Sequence, residues 1–150
     1  MVDVTQRVEF ECLYFFLDEN GYTRLNPKRY KLEVTVSCPE RNSKNGCTIT
    51  FESLRRYLQS SVPDGGFIYN KVPNGLSQLS SSFCELIKSY PIPIYAINSP
   101  VCAESLLERS IHLLELTFSQ SEPGVKITSA RLYESSTSYV SYQPGRYKYY

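Results

Sequence analysis

Two runs of alternating residues constrain this chain more than any other feature. From Arg7 to Leu17, Val8, Phe10, Cys12, Tyr14 and Phe16 fall on one side, with Arg7, Glu9 and Glu11 opposite. From Tyr30 to Cys38, Tyr30, Leu32, Val34 and Val36 alternate with Lys31, Glu33, Thr35 and Ser37. A side-chain period of two is that of a β-strand with one buried face. Asp18-Glu19-Asn20-Gly21 between the runs has turn chemistry, which predicts an antiparallel pair. The far end of the first run, Tyr14-Phe15-Phe16-Leu17, is apolar on both faces. It is therefore expected to be covered twice, by the core and by a loop or a partner subunit.

Helical periods take over after residue 50. Thr50 is a candidate N-cap for a helix over Phe51 to Gln59, with Phe51, Leu54 and Leu58 as its inner stripe and Tyr57 at the margin. Pro63-Asp64-Gly65-Gly66 ends that unit, and Phe67 to Gly75 reads as irregular. Leu76 to Tyr90 has a second helical pattern, with Leu79, Phe83, Leu86 and Ile87 inside. Pro91 and Pro93 force Pro91 to Tyr95 into an extended form. A long amphipathic helix then starts at Cys102, with Ala103, Leu106, Leu107, Ile111, Leu114 and Phe118 on one face. After the turn Glu122-Pro123-Gly124, Val125 to Tyr133 and Thr137 to Tyr142 read as two closing strands. The order β-β-α-α-α-β-β predicts an α+β domain: a four-stranded antiparallel sheet with its helices on one face.

At 150 residues the chain fits a single domain, 1–150, large enough for a real core. A net charge of +1 gives no field that would favour an acidic partner. The five cysteines include no C-x-x-C pair, which fits reduced, buried thiols better than a disulfide framework. The start shows no basic-then-apolar signal pattern, and no apolar run approaches about 18 residues. A cytoplasmic chain with no membrane association is the expectation. Thirteen tyrosines without a tryptophan suggest a contact surface. The tail, 143–150, is basic and aromatic, a composition that can stack on bases and pair with phosphates, or simply end the chain.

Two carboxylates stand at the ends of elements. Glu104 lies in the first turn of the long helix, where the dipole favours it, and Glu134 ends an alternating strand. They can converge on one pocket, or be a helix-stabilising and a solvated glutamate.

The order of elements and several segments resemble the 6-pyruvoyl-tetrahydropterin synthase family, including its 6-carboxy-tetrahydropterin synthase branch. Gly46 to Leu54 looks like its G-M-V-x-D-F-x-x-L segment, and Cys102-Ala103-Glu104-Ser105 like its T-A-E-N helix start. Leu132-Tyr133-Glu134-Ser135 is similar to its V-x-E-T strand end, and Tyr142 to Gly145 to its closing Y-x-G. The resemblance implies the tunnelling fold, in which the sheets of several subunits join into a barrel and pterins or purines bind between subunits. It also implies that Glu104, flanked by Cys102 and Ala103, grips the amino-pyrimidinone edge through paired hydrogen bonds, and that Glu134 matches a relay glutamate.

The family's catalytic zinc needs three histidines, and this chain has one, His112, within the long helix. The family's H-G-H-N-Y motif lines up with Asn26-Pro27-Lys28-Arg29-Tyr30, and its first-strand histidine with Tyr14. Its Asp-His relay lines up with Tyr69 and Asn70, and its cysteine before the second strand has no counterpart. An ordinary tyrosine titrates near ~10, too high for an efficient base at neutral pH. No metal and no cofactor are expected. Three readings follow: a catalytically silent oligomer binding a flat nitrogen-rich ring through Glu104 and Glu134; an enzyme with replacement chemistry at Lys28, Tyr14 and Tyr69; or a scaffold or nucleic-acid-associated subunit using its tyrosines and tail.

Overall fold

The computed structural model describes residues 2–39, 49–72 and 75–144. Strand β1, Val2–Leu17, and strand β2, Thr23–Cys38, pair antiparallel along their whole length, from Val2 opposite Cys38 to Leu17 opposite Thr23. The turn is built on Asp18, whose carboxylate accepts the Asn20 and Tyr22 N–H groups, each at 2.9 Å. Gly21 takes the left-handed conformation that closes it, at φ 80°. β2 begins seven residues earlier than Tyr30, taking in Pro27. That end of β2 pairs only with β1 among the described residues, so a residue lacking an N–H is tolerated at an edge.

The remaining elements are α1 (Phe51–Ser61), β3 (Gly66–Asn70), α2 (Ser77–Ile87), β4 (Ile94–Ile97), α3 (Ala103–Ser121), β5 (Lys126–Tyr133) and β6 (Tyr139–Tyr142). The sheet has six strands, in the order β4-β3-β1-β2-β5-β6, where the sequence predicts four. The two additions, β3 and β4, run parallel to β1 and to each other. β3 escapes a period-two reading because both its faces are covered: Phe67 and Ile68 are both buried. β4 begins immediately after the two prolines that made its segment extended.

The helices also depart from a single layer. α1 and α3 lie on the sheet face that carries Phe10, Tyr30, Leu32 and Val34, and with Leu54, Leu58, Leu106 and Leu114 they form the main core. α2 covers the opposite face. Its Phe83 ring meets Phe67 at 4.7 Å and Phe15 at 5.5 Å, and Phe15 alternates in β1 with the core-facing Tyr14 and Phe16. The doubly apolar end of β1 is thus covered on its second side by a helix of the same chain. The inner face of α2 is Ser80, Phe83 and Ile87, while Leu79 and Leu86 are exposed. In α1 the buried stripe is Leu54, Leu58 and Ser61, one turn beyond the predicted one, and Phe51 is exposed. Ser61 is tolerated there because its hydroxyl donates to the Leu58 carbonyl at 2.8 Å. Thr50 does cap α1, accepting the Ser53 N–H at 3.0 Å. No helix among the described residues is long and apolar enough to cross a membrane.

Gly66 sets how closely β3 and β4 approach. A Cβ there would clash with the edge of the Tyr95 ring and lie 2.8 Å from the Pro93 carbonyl oxygen. Because backbone is among the atoms met, Gly66→Ala is expected to destabilise the fold by about 1–3 kcal/mol. Chemical denaturation checks this, and Gly75→Ala, which meets no atom within 4 Å, is the matched control.

Candidate functional site

Five elements border one cavity of about 360 Å³. β1 contributes Tyr14 and Phe16, β2 contributes Lys28, and the start of α3 contributes Cys102, Ala103 and Glu104. Glu134, at the end of β5, and Ser138 and Tyr139, at the start of β6, close the far wall. A volume of this size is ample for a flat two-ring heterocycle.

The start of α3 is held by a local network. The Ser105 hydroxyl accepts the Cys102 N–H at 3.0 Å and donates to the Pro100 carbonyl at 2.7 Å. This fixes the first turn and presents Glu104 at the cavity wall. Among the described residues Glu104 makes neither a hydrogen bond nor an ion pair, so its two oxygens remain available as acceptors. Glu134 is fixed by its backbone, whose N–H donates to the Ser138 carbonyl at 2.9 Å across the β5–β6 turn. Its carboxylate lies 3.7 Å from the Lys28 ammonium, which in turn stands 4.5 Å from the centre of the Phe16 ring. An aromatic face and a carboxylate are both partners of a charged lysine.

At the floor, the Tyr14 and Tyr30 hydroxyls share a 2.6 Å hydrogen bond. Burial raises the Tyr14 pKa above the ordinary tyrosine range, more than the bond from Tyr30 lowers it. Tyr30 is raised further, by burial first and then by Tyr14. Both phenols are neutral at physiological pH and act as hydrogen-bonding groups. The neighbouring Cys12 thiol is pushed up to about 12, by burial and then by Asp64, and is likewise neutral.

Of the residues singled out in the sequence, Tyr14, Lys28, Cys102, Ala103, Glu104 and Glu134 therefore meet at one cavity. Tyr69 does not. It sits on β3 opposite Ala96, on the same strand face as Phe67 and away from the core. Asn70 beside it is buried, its side-chain oxygen accepting the Val72 N–H at 3.0 Å. Sequence reasoning missed Phe16 and Tyr139 as cavity walls. Phe16 looked like one more core residue, and only the cross-strand position of Lys28 shows what its ring supports. Gly46, Cys47 and Gly145 of the motif segments, and 145–150 of the tail, lie outside the described residues.

The donors around the cavity do not suit zinc. A phenol, an amide and an ammonium (Tyr14, Asn26 and Lys28) stand at the positions the resemblance gives to imidazoles, and an ammonium has no lone pair to offer a cation. Among the described residues no group of three or more His, Cys, Asp and Glu side chains is placed to hold a metal ion. His112 is exposed on the outer face of α3, remote from Tyr14 and Lys28 along the helix.

No protein-family model and no curated protein matches the sequence. Solved structures do match the fold. An uncharacterized protein of Wolinella succinogenes superposes with a TM-score of 0.63 at 17% identity, over 96% of this chain and 99% of its own. The 6-pyruvoyl tetrahydropterin synthase of Caenorhabditis elegans gives 0.58 at 12% identity, over 96% of each chain. That of Plasmodium falciparum gives 0.51 at 18% identity, over 93% of this chain and 96% of its own. Likeness over nearly the whole length at such low identity is a statement about architecture: the chain has the tunnelling fold seen in the 6-pyruvoyl tetrahydropterin synthases.

Proposed function

We propose that the protein binds a pterin- or purine-like ring at the Glu104 cavity, without zinc and without the synthase reaction. The observation that carries this reading is the unpaired carboxylate of Glu104, presented by a capped helix start into a cavity walled by Phe16 and Tyr139. A carboxylate with two free oxygens matches the adjacent ring N–H and exocyclic amine of an amino-pyrimidinone, and charge-assisted pairs of this kind are strong. The aromatic rings supply apolar surface for the heterocycle. Lys28 completes the match as a donor for a ring oxo group or nitrogen.

Binding is favoured over replacement catalysis by the surroundings of the same residues. A Schiff-base lysine must be a neutral amine in an apolar setting. Lys28 instead lies between a carboxylate and an aromatic face. Tyr14 is held as a neutral phenol, and Tyr69 is not at the cavity. The scaffold reading rests mainly on a tail whose last residues lie outside those described.

The protein is further proposed to be a homo-oligomer. β4 and β6 end the sheet with one side unpaired among the described residues, and open strand edges invite pairing between copies. Light scattering at micromolar concentration is expected to give a multiple of the 17.2 kDa chain mass, and a monomer would remove the basis for a site completed between subunits.

Thermal-shift measurements with pterin, guanine and a deazaguanine test the ring site. At least one is expected to raise the Tm through linkage. Glu104→Gln places an amide donor against the ligand's donors, and should weaken binding ten- to a hundredfold, about 1.5–3 kcal/mol. The stability of the free protein should change by less than about 1 kcal/mol, because a first-turn glutamate contributes little more than its interaction with the helix dipole. If no ring shifts the wild type, the binding reading fails. A separate check is elemental analysis after purification without chelators, for which far less than one zinc per chain is expected.

A further inference from the structure

A second cavity, of about 570 Å³, shares none of the ring site's lining residues and lies along α3 between the end of β4 and Tyr142. Its charges are unusual in being unspent. Arg109 is half-buried, and its guanidinium donates to the Ser61 carbonyl at 3.2 Å and lies 5.1 Å from the Tyr95 ring centre. No carboxylate pairs with it, and burial lowers its pKa accordingly. Glu108 and Glu115 line the same cavity, and neither makes an ion pair among the described residues. Glu115 accepts a hydrogen bond from the Tyr142 hydroxyl at 3.3 Å. One cation lacking a carboxylate thus shares a cavity with two carboxylates lacking cations, so that Arg109, Glu108 and Glu115 sum to a formal charge of about −1.

We propose that this groove is a second binding site, for a basic α-amino acid such as lysine. This goes beyond the ring-binding reading and does not depend on it. The α-carboxylate pairs with the free N–H groups of Arg109, as guanidinium geometry favours. The α-ammonium lies against Glu108, with the Asn98 and Ser99 side chains close by to complete its hydrogen bonds. The side-chain cation reaches Glu115. Spacing supports the assignment: Arg109 and Glu115 are six residues apart, about 9 Å along a helix rising 1.5 Å per residue. An extended lysine places its ammonium six bonds from its carboxylate carbon, roughly 7–8 Å at ordinary bond lengths, and the side chains can span the remainder. The ligand's net charge of +1 offsets that of the groove.

Isothermal titration of the full chain with L-lysine tests the proposal, with cadaverine, which lacks the carboxylate, and norleucine, which lacks the side-chain ammonium, as comparisons. Lysine is expected to bind at least about tenfold more tightly than either. Glu115→Gln should weaken lysine by a similar factor and leave norleucine unchanged. This exposed position should not compromise folding, which an unchanged Tm verifies. Glu104→Gln should leave lysine binding intact, which separates this site from the ring cavity. The proposal is overturned by absence of lysine binding up to about 10 mM, well beyond a millimolar-affinity site. Equal binding of cadaverine, an unaffected Glu115→Gln, or loss of lysine binding in Glu104→Gln would overturn it equally.

Discussion

The antiparallel ladder of β1 and β2 is the constraint on which the rest of this structure depends. Sixteen residues of one strand face sixteen of the other, and the core-facing set Val8, Phe10, Cys12 and Tyr14 meets Leu32, Tyr30, Lys28 and Asn26 in register. Because side chains alternate, a slip of one residue would turn the whole apolar set of a strand out of the core. The register therefore does two things. It builds the floor on which α1 and α3 pack, and it carries the two partners out past the last pairing with β5, which ends at Lys31 opposite Tyr133. Beyond that point the same face continues as Tyr14, Phe16 and Lys28, now as cavity walls. The site is the end of the core, where the ladder outruns the strand beside it.

That origin accounts for the local electrostatics. Lys28 occupies a position where the residues two and four further on, Tyr30 and Leu32, are fully buried, so its stem lies on apolar surface and its ammonium finds the Phe16 ring and Glu134. A resident ammonium replaces some of the positive charge a metal would bring, without its open coordination positions or its ability to lower the pKa of water. The half-exposed ion pair with Glu134 adds little to stability on its own. Its consequence is local: Glu134 has a cation beside it, and Glu104 has none among the described residues. The cavity thus presents two carboxylates of different character, one beside a cation and one open to a ligand's donors.

How much of this was legible follows from what each element shows to solvent. β1, β2, β5 and α3 each bury one face and β6 half-buries one, so their periods of two and 3.6 placed them to within a few residues, apart from the early starts of β1 and β2. β3 is covered on both faces and carries no period, and the prolines before β4 obscured a four-residue strand. Missing these two strands also hid the parallel β3-α2-β4 crossover, and with it the reason α2 lies on the opposite face. The leucines of α2 misled in the same way: Leu79 and Leu86 fit a helical stripe, yet the face that packs is set by Phe83 against Phe15 and Phe67. Glu104, Glu134, Lys28 and Tyr14, singled out in the sequence through their family-like segments, line one cavity. Tyr69 was placed with them by alignment alone, and β3 carries it to a different face.

The proposed reading, holding a ligand rather than moving protons, follows from the groups at the cavity. A proton relay requires groups whose pKa values lie near the working pH, with one able to accept what another gives up. Here burial raises Tyr14 and Tyr30 away from neutrality, Tyr30 further through its bond to Tyr14, and burial does the same to Cys12. The only imidazole of the chain is on the outer face of α3, and the amide of Asn70 is committed to its own turn. The groups free to respond to a ligand are the acceptor oxygens of Glu104 and the donors of Lys28. Acceptors, a cation and aromatic walls are groups suited to a polar ring, which is what the proposed binding requires of them, while the same burial that stabilises the ladder raises the pKa of its hydroxyls and thiol.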